Sequence, residues 1–364
     1  MGDILHALPA VTALRVAHPD WQIGWVVEPR WQPLLKTENR EQGTVNRGAE
    51  ESLRDLEMPG RPAVGVARDA AMPVVDRLHF APSREWKRHP LSAGTRRAIA
   101  ALRRELRAAG YSAVLDLQGA IRSAVIARMS SCARRIGEAS PREWPAQWLF
   151  TERVVTHGAH VIEQDVELAS AVAGDALSAV DARLPIDREA EAWCASWLAA
   201  TFSGAARLIA LITPGAGWGA KRWPPERYAA VAEGLAQRGL HVVVNAGPGE
   251  EPLAASIIAG GAAVAVTPTL PQLIALTRRI ALCIGGDTGP LHLASALSRP
   301  VVGIYGPTDP SRNGPYGTRA RVLRSPDSRR DHSRRSAPDP GLLTIAPDDV
   351  LRAADELLAE EDAR

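Results

Sequence analysis

A glycine-rich turn, GGDTGPLH at residues 285–292, constrains the fold of this chain more than any other sequence feature. It follows the apolar run 280–284, which has the length and composition of a buried strand, and it leads into the helix-like segment 291–297. Such a junction leaves backbone N–H groups unpaired at the positive end of a helix dipole, where phosphate binds well. The sequence therefore predicts a phosphate-binding strand–turn–helix unit.

Three more loops of this kind follow strand-like runs in the same half of the chain. They are TPGAGWGAKRWP at 213–224, NAGPGEE at 245–251 and GPTDP at 306–310. Four glycine loops at the carboxyl ends of strands fit the ligand crevice of a doubly wound sheet. Lys221 stands just before a helix that begins near Pro224, where an ammonium group complements a diphosphate. These loops predict a nucleotide-type site.

The alternation of strands and helices predicts an α/β fold with two Rossmann-like domains facing across a cleft. Strands 23–27 and 114–117 alternate with helical runs such as 96–109, which is typical of parallel βαβ units. A proline near residue 185 precedes the helix-like run 188–200. We therefore expect an N-terminal domain at 1–185, a C-terminal domain at 186–330, and a linker with a last helix at 331–364. Residues 42–71, with mixed charge and little periodicity, are predicted to form a loop excursion.

These motifs resemble those of the lipopolysaccharide heptosyltransferases, glycosyltransferase family 9. GGDTGPLHLASAL, TPGAGWGAKRWPPERY, NAGPGEE and GIYGPTDPSRNGPYG resemble the C-terminal domain of that family. MGDILHALPA resembles its acceptor-side loop, and YSAVLDLQG, Arg122-Ser123 and REWKR at 84–88 resemble further N-terminal signatures. The heptosyltransferase I type looks closest. The resemblance implies a GT-B fold and an inverting transfer of heptose from ADP-L-glycero-D-manno-heptose to the Kdo residue of lipid A, in lipopolysaccharide inner-core synthesis.

The resemblance also implies roles for individual residues. Asp3 would be the general base that deprotonates the acceptor hydroxyl. The donor side would comprise Thr213, Lys221, Glu251, Asp287, Thr288, Gly289 and His292, whose lysine and helix N-terminus stabilise the leaving diphosphate. The acceptor side would comprise Gly2, His6, Arg84, Lys87, Arg88 and Arg122, since guanidinium groups pair well with the phosphates and carboxylates of a lipid A core.

Most of these residues also have a structural interpretation. Asp3 is a residue type that favours turns and helix caps, and His6 suits packing at a helix start. Thr213 can close a strand end, Asp287 can brace its turn, and His292 can support the loop without touching the donor. Either Glu250 or Glu251 can accept the ribose hydroxyl groups, with spacing favouring Glu251. The basic residues at 84–88 and Arg122 can simply be solvated.

Composition limits the partners and the location of the protein. A formal net charge of +2 does not mark a nucleic-acid binder. Three widely spaced cysteines, no apolar run of about 18 residues and no leader pattern favour the cytoplasm. We expect a peripheral position on the cytoplasmic face of the inner membrane. A tract of arginines suits either an anionic membrane surface or a polar connector; its members are Arg319, Arg321, Arg324, Arg329, Arg330, Arg334 and Arg335.

Two further expectations concern the site itself. No Asp-x-Asp pair stands in a strand-end loop, so neither a metal nor another cofactor is expected at the active centre. Most of the ten tryptophans are expected in cores or interfaces, with Trp218 in the lysine loop as the candidate for ligand contact.

The beginning of the chain leads to a separate expectation. Relatives usually start with a short apolar strand before the Met-Gly-Asp turn, whereas this sequence starts at the turn. A missing first strand would leave a gap in a parallel sheet and free the loop that carries Asp3. Either the natural start lies upstream of Met1, which is the interpretation we favour, or the sequence is a compromised fragment.

The alternative functions are a heptosyltransferase II-like or other ADP-sugar transferase, a nucleotide-sugar isomerase, or a non-catalytic sugar-nucleotide-binding protein.

Overall fold

The computed structural model describes residues 1–36, 73–202, 207–328 and 335–362, and the predicted loop excursion at 42–71 lies outside them. The N-terminal half alternates helices and short strands, as the sequence predicted. Its elements are α1 (Gly2–Ala17), β1 (Gly24–Val27), a 3-10 helix (Pro29–Leu34), β2 (Arg77–Phe80), α2 (Ser83–Arg88), α3 (Ala93–Ala109), β3 (Ala113–Asp116), α4 (Ile121–Met129), β4 (Arg134–Glu138), a 3-10 helix (Trp144–Leu149), β5 (Glu152–Val154) and α5 (Val161–Ala173).

The described strands of this half form two parallel sheets. Strand β1 pairs with β2, and β3, β4 and β5 form the second sheet. Among the described residues, the two sheets are not hydrogen-bonded to each other.

Asp3 lies in the first turn of a helix, so the expectation of a freed loop at this position is wrong. Helix α1 packs against α5 and also reaches the C-terminal half. Leu5, Leu8, Ala10 and Leu14 are buried on different sides of the helix, so it is enclosed nearly all round. This enclosure holds the segment helical although Gly2 and Pro9 both disfavour helix.

The C-terminal half repeats the strand–loop–helix unit more regularly. Its elements are α6 (Arg188–Thr201), β6 (Ile209–Thr213), a 3-10 helix (Gly219–Lys221), α7 (Pro225–Gln237), β7 (His241–Asn245), α8 (Glu251–Ile258), β8 (Val264–Val266), α9 (Leu270–Arg278), β9 (Leu282–Gly286), α10 (Gly289–Ala296), β10 (Val301–Tyr305), α11 (Pro310–Asn313), β11 (Ala320–Arg324), a 3-10 helix (Leu342–Thr344) and α12 (Pro347–Asp362).

Six of these strands form one parallel sheet in the order β11–β10–β9–β6–β7–β8. Successive side chains alternate between its faces: Leu211 and Val243 pack on one side, and Ile212 and Val244 on the other. The order of connections reverses between β6 and β9. In such a sheet, the crevice outside the carboxyl ends of the strands at this reversal is the usual place for a ligand.

The two halves share an apolar interface. Leu5 and Leu8 of α1 belong to the same buried cluster as Leu291 of α10 and Leu211 of β6. The opposite face of the six-stranded sheet is covered by α7 and by the C-terminal helix α12. The predicted boundary at residues 185 and 186 falls in the connection between α5 and α6, and the division into domains itself stays a prediction.

Candidate active site

Lys221 and Asp287 meet at the carboxyl ends of the two strands that flank the reversal. Lys221 ends the 3-10 helix after β6, and Asp287 directly follows β9. The ammonium group bonds to the Asp287 carboxylate, and the two side chains are only 10% and 8% exposed. The ammonium nitrogen also lies 4.2 Å from the centre of the Trp218 ring. The ammonium group is thereby held in place at the carboxyl ends of the strands, where this fold binds phosphate groups.

His292 holds the second oxygen of the same carboxylate. Its Nε2 atom lies 2.9 Å from Oδ1 of Asp287. Burial alone would raise the pKa of Asp287, but the hydrogen bond and charge of His292 and the charge of Lys221 outweigh it and hold the pKa below its usual range. Asp287 is therefore an ionised carboxylate that orients both neighbours.

The start of α10 offers backbone donors beside this carboxylate. Thr288 is the N-cap residue but makes no side-chain capping bond; its hydroxyl lies 3.3 Å from the carbonyl oxygen of Gly286. Gly289 opens the helix. The first-turn N–H groups thus lack a side-chain cap, which suits them to an anion.

Thr213 faces the sheet. It is 2% exposed, and its hydroxyl lies 3.5 Å from the carbonyl oxygen of Ile284. A Cβ atom on Gly285 of the neighbouring strand would come within 2.0 Å of that hydroxyl. These contacts favour the strand-closing role of Thr213 over contact with a phosphate.

The two glutamates after β7 are placed differently. Glu250 accepts a hydrogen bond of 2.9 Å from the Gly247 N–H group, and a Cβ atom on Gly215 would come within 2.2 Å of its carboxylate. Its carboxylate therefore lies between the loops that follow β6 and β7. Glu251, the residue favoured by sequence spacing, is exposed at the start of α8. The geometry places Glu250 closer to the crevice.

The start of α1 brings the N-terminal half to this site. A Cβ atom on Gly2 would lie 3.4 Å from the His292 ring, and Met1 packs against Gly289. Asp3 is exposed, and its carboxylate accepts a hydrogen bond of 3.1 Å from the Gln118 amide. An exposed carboxylate, oriented by Gln118, is thus presented one residue away from the contact between Gly2 and His292.

Buried histidines join the two halves beside Asp3. His6 Nε2 lies 3.3 Å from His292 Nδ1, and the His160 ring stands edge-on to His6 at 5.8 Å. His160 Nε2 in turn lies 3.1 Å from the carbonyl oxygen of Gly314. Burial, reinforced by the charges of His292 and His160, holds the pKa of His6 well below its ordinary value, and burial lowers the pKa of His160. Both imidazoles are therefore neutral near pH 7, and His6 packs at the interface as well as lying near Asp3.

The basic residues predicted on the acceptor side fall into one group on the N-terminal half. Arg122 donates a hydrogen bond of 2.9 Å to the Ser83 hydroxyl, and Arg84 follows Ser83 in α2. The Arg84 side chain is 69% exposed. Lys87 and Arg88 are exposed on the same short helix. The structure thus gathers these four cations at one exposed position.

Sequence reasoning missed Gln118 and His160. Gln118 lies in the YSAVLDLQG motif, and only the structure shows its contact with Asp3. His160 caps α5, and Glu163 accepts the His160 N–H group at 3.0 Å. Histidine is not a usual cap residue, so no sequence signal identifies this position.

The arginine tract is partly engaged inside the C-terminal half. Arg319 donates to the carbonyl oxygen of Leu357, Arg321 pairs with Glu356 and Glu360, and Arg324 donates to two carbonyl oxygens. These contacts favour the polar-connector interpretation. Arg329, Arg330 and Arg334 lie outside the described residues.

Three other properties of the described residues bear on the sequence expectations. Cys132, Cys194 and Cys283 are buried and free. Within the described ranges, no helix is long and apolar enough to cross a membrane. No group of three His, Cys, Asp or Glu side chains in the same part of the chain is placed to hold a metal ion.

Two Rossmann-like halves that meet in a shared apolar interface give this chain the layout of the GT-B class of glycosyltransferases. The sequence model of glycosyltransferase family 9 (heptosyltransferase) matches residues 99–340, and the chain belongs to this family. The resemblance stated from the motifs is confirmed.

Individual relatives agree with this assignment along most of the chain. Lipopolysaccharide heptosyltransferase 1 of Escherichia coli K12 is 27% identical over 333 residues, which are 90% of this chain and 91% of that protein. The protein of the same name from Pseudomonas aeruginosa is 28% identical over 331 residues, covering 87% of this chain and 79% of that protein. The structure of E. coli heptosyltransferase WaaC with ADP superposes with a TM-score of 0.71 at 23% identity, covering 98% of this chain and 97% of that one. The predicted GT-B fold is confirmed.

Proposed function

We propose that this protein transfers heptose from ADP-L-glycero-D-manno-heptose to the Kdo residue of lipid A, with inversion at the sugar carbon. The observation that carries the proposal is the Lys221–Asp287–His292 network at the strand reversal, with Asp3 presented beside it from the other half. Similarity to proteins named lipopolysaccharide heptosyltransferase 1 supports the choice of donor and acceptor.

In the proposed reaction, the Asp3 carboxylate takes the proton of the acceptor hydroxyl. The hydroxyl oxygen then forms a bond to the anomeric carbon of heptose while the bond from that carbon to the diphosphate oxygen breaks. ADP leaves with the electron pair. Attack from the face opposite to the leaving group inverts the configuration. Gln118 holds the Asp3 carboxylate in one orientation through its amide.

Fixed positive charge stabilises the leaving diphosphate. Lys221 supplies an ammonium group that is oriented by Asp287, and Thr288 and Gly289 supply N–H groups at the start of α10. Such donors act strongly because they are positioned before the reaction and shielded from water. We propose that this arrangement needs no metal ion. Glu250 is the better placed carboxylate for the ribose, since it lies between two loops of the crevice.

The exposed cations of the N-terminal half suit an anionic acceptor. Arg84, Lys87, Arg88 and Arg122 form one group that would hold phosphates and carboxylates of the lipid A core. We place the reaction at the cytoplasmic face of the inner membrane. The three free cysteines suit the reducing conditions of that compartment.

The test is to incubate the protein with ADP-heptose and Kdo–lipid A and to follow the mass of the lipid. A gain of one heptose is expected. A parallel reaction with an acceptor that already carries one heptose separates the heptosyltransferase II-like alternative, because that enzyme would extend only the second acceptor. Conversion of the sugar nucleotide without any acceptor would contradict the proposal, as would binding of ADP-heptose with no turnover.

A further inference from the structure

An exposed pair of tryptophans stands out on the N-terminal half. Ten tryptophans occur in the sequence, all of them in the described part of the chain, and only Trp144 and Trp148 are mostly exposed, at 60% and 64%. Their ring centres lie 4.6 Å apart in an edge-to-face arrangement on the 3-10 helix Trp144–Leu149. Large aromatic side chains are normally buried, so an ordered, exposed pair indicates a contact surface.

Two aliphatic side chains from the adjoining helix extend the apolar surface. Ile121 and Val125 of α4 are 43% and 45% exposed, and they lie one helical turn apart on the same side. Helix α4 packs on the 3-10 helix through Ala124, Ala146 and Phe150. We call Ile121, Val125, Trp144 and Trp148 the tryptophan face.

Exposed arginines adjoin this face along the chain. Helix α4 contains Arg122 and Arg128 and no acidic residue, and both arginines are exposed. Arg142 is exposed beside Trp144. The neighbouring acid, Glu143, accepts a hydrogen bond of 2.8 Å from the Ile121 N–H group and so caps α4. An apolar centre with a basic rim complements an anionic lipid surface, where tryptophan is enriched at the headgroup level.

The tryptophan face is continuous with the acceptor side of the site. Gln118, which bonds to Asp3, precedes Gly119, and the carbonyl oxygen of Gly119 accepts the Glu143 N–H group at 2.8 Å. Arg122, at the start of α4, reaches Ser83 in the helix that carries the other acceptor-side cations. A surface that contacts lipid here would lie beside the place where a lipid-linked acceptor has to enter.

We infer that the tryptophan face docks the protein onto the surface of an anionic phospholipid bilayer, with Trp144 and Trp148 in the headgroup layer and Arg128 and Arg142 against lipid phosphates. This inference rests on the proposed function, because a lipid-linked acceptor is the reason to dock. It differs from the earlier expectation for the arginine tract at 319–335, several members of which bond within the C-terminal half.

The experiment measures flotation of the full chain with vesicles of phosphatidylglycerol and phosphatidylethanolamine. The double variant Trp144→Ala/Trp148→Ala is expected to bind about tenfold more weakly. Arg128→Gln is expected to bind about fivefold more weakly, with a smaller difference at high salt. The matched control is Leu343→Ala, which removes a side chain 42% exposed on the C-terminal half and should bind like the wild type. ADP binding and circular dichroism verify that each variant is folded.

Transfer assays then separate the docking role from the chemistry. The double variant should lose transfer to Kdo–lipid A in vesicles and keep its rate with a deacylated, water-soluble form of the same acceptor. Vesicle binding unchanged in both variants overturns the inference. The inference is also overturned if the wild type does not bind vesicles but forms a dimer that the double variant does not form. The tryptophan face would then be an interface between two copies of the protein. If the wild type transfers to neither acceptor yet the variants lose vesicle binding, the proposed function fails and the docking face stands.

Discussion

The donor side and the acceptor side of this protein are built in opposite ways. On the donor side, Lys221 and Asp287 are 10% and 8% exposed and are bonded to each other and to His292. On the acceptor side, Asp3 and Lys87 are exposed, and Arg84 is 69% exposed. The donor groups are therefore oriented before any substrate binds, whereas most acceptor groups stand in water.

This difference follows from the two kinds of structure that carry the groups. The donor loops leave central strands of a six-stranded sheet, so buried neighbours fix their side chains. The acceptor groups lie on the short helix α2 and at the starts of α1 and α4. Charges on this short helix and at these helix starts keep their hydration until a ligand displaces the water. Substitutions on the two sides should consequently affect different measurements.

The largest effect is expected at Asp3. Asp3→Asn should reduce the rate of transfer about 10²- to 10⁴-fold, since an amide cannot act as the base. ADP affinity should not change, because the Asp3 side chain is held by Gln118 on the acceptor side. Single-turnover kinetics and calorimetric ADP titration measure the two effects. Asp20→Asn, which changes an exposed acid after α1, is the control and should alter neither. If Asp3→Asn lowers ADP affinity as much as it lowers the rate of transfer, Asp3 also acts on the donor side, and the proposed separation of the two sides is wrong.

A substitution on the donor side should instead lower the free energy of unfolding. Asp287→Asn leaves the buried Lys221 ammonium without its counter-charge, and the free energy of unfolding should fall by about 3–5 kcal/mol. Asp355→Asn is the matched control, since it removes the acid of the Arg238–Asp355 pair, whose side chains are 37% and 48% exposed. That change should cost about 0–1 kcal/mol. Urea unfolding of both variants measures the two losses in the free energy of unfolding. Equal losses would show that the Lys221–Asp287 pair is not held away from water.

The sequence predicted strands and helices in both halves to within a few residues. An apolar run before a glycine loop identified β10 at Val301–Tyr305, and the helix-like run after Pro185 placed α6, observed at Arg188–Thr201, within one residue. In a parallel sheet, local composition reports burial directly, because both faces are covered. The start of α1 was misread because Gly2 and Pro9 disfavour helix, and the buried surroundings that override them are contributed by distant segments.

Contacts between the halves could not be predicted from the sequence. His6 and His292 are 286 positions apart, and no spacing rule links them. The choice between Glu250 and Glu251 needed the direction of a side chain, which a sequence does not contain. The site residues named by resemblance nevertheless fall into two coherent groups, one at the strand reversal and one on the N-terminal surface.

The smallest expected effect concerns the interface at which the two sides meet. The pKa of His6 is held well below its ordinary value of about 6.5 by burial and by the charges of His292 and His160. Below about pH 6.5 the unfolded chain therefore binds more protons at this position than the folded chain. The free energy of unfolding should fall as the pH drops through this window, and it should be independent of His6 titration above it. His160, whose pKa is also lowered by burial, contributes in the same direction.

His6→Gln should make this pH dependence shallower, because glutamine does not titrate, while His160 retains its part. Thr12→Val is the control on the same helix: it changes a buried side chain of α1 without removing a titrating group, so it should shift the whole stability curve and leave its slope unaltered. Urea unfolding at several pH values between 5 and 8 measures the slopes. A wild type whose slope matches that of His6→Gln would mean that His6 is hydrated in solution. The start of α1 would then not be packed against α10, and the contrast between a buried donor side and an open acceptor side would extend into the interface itself.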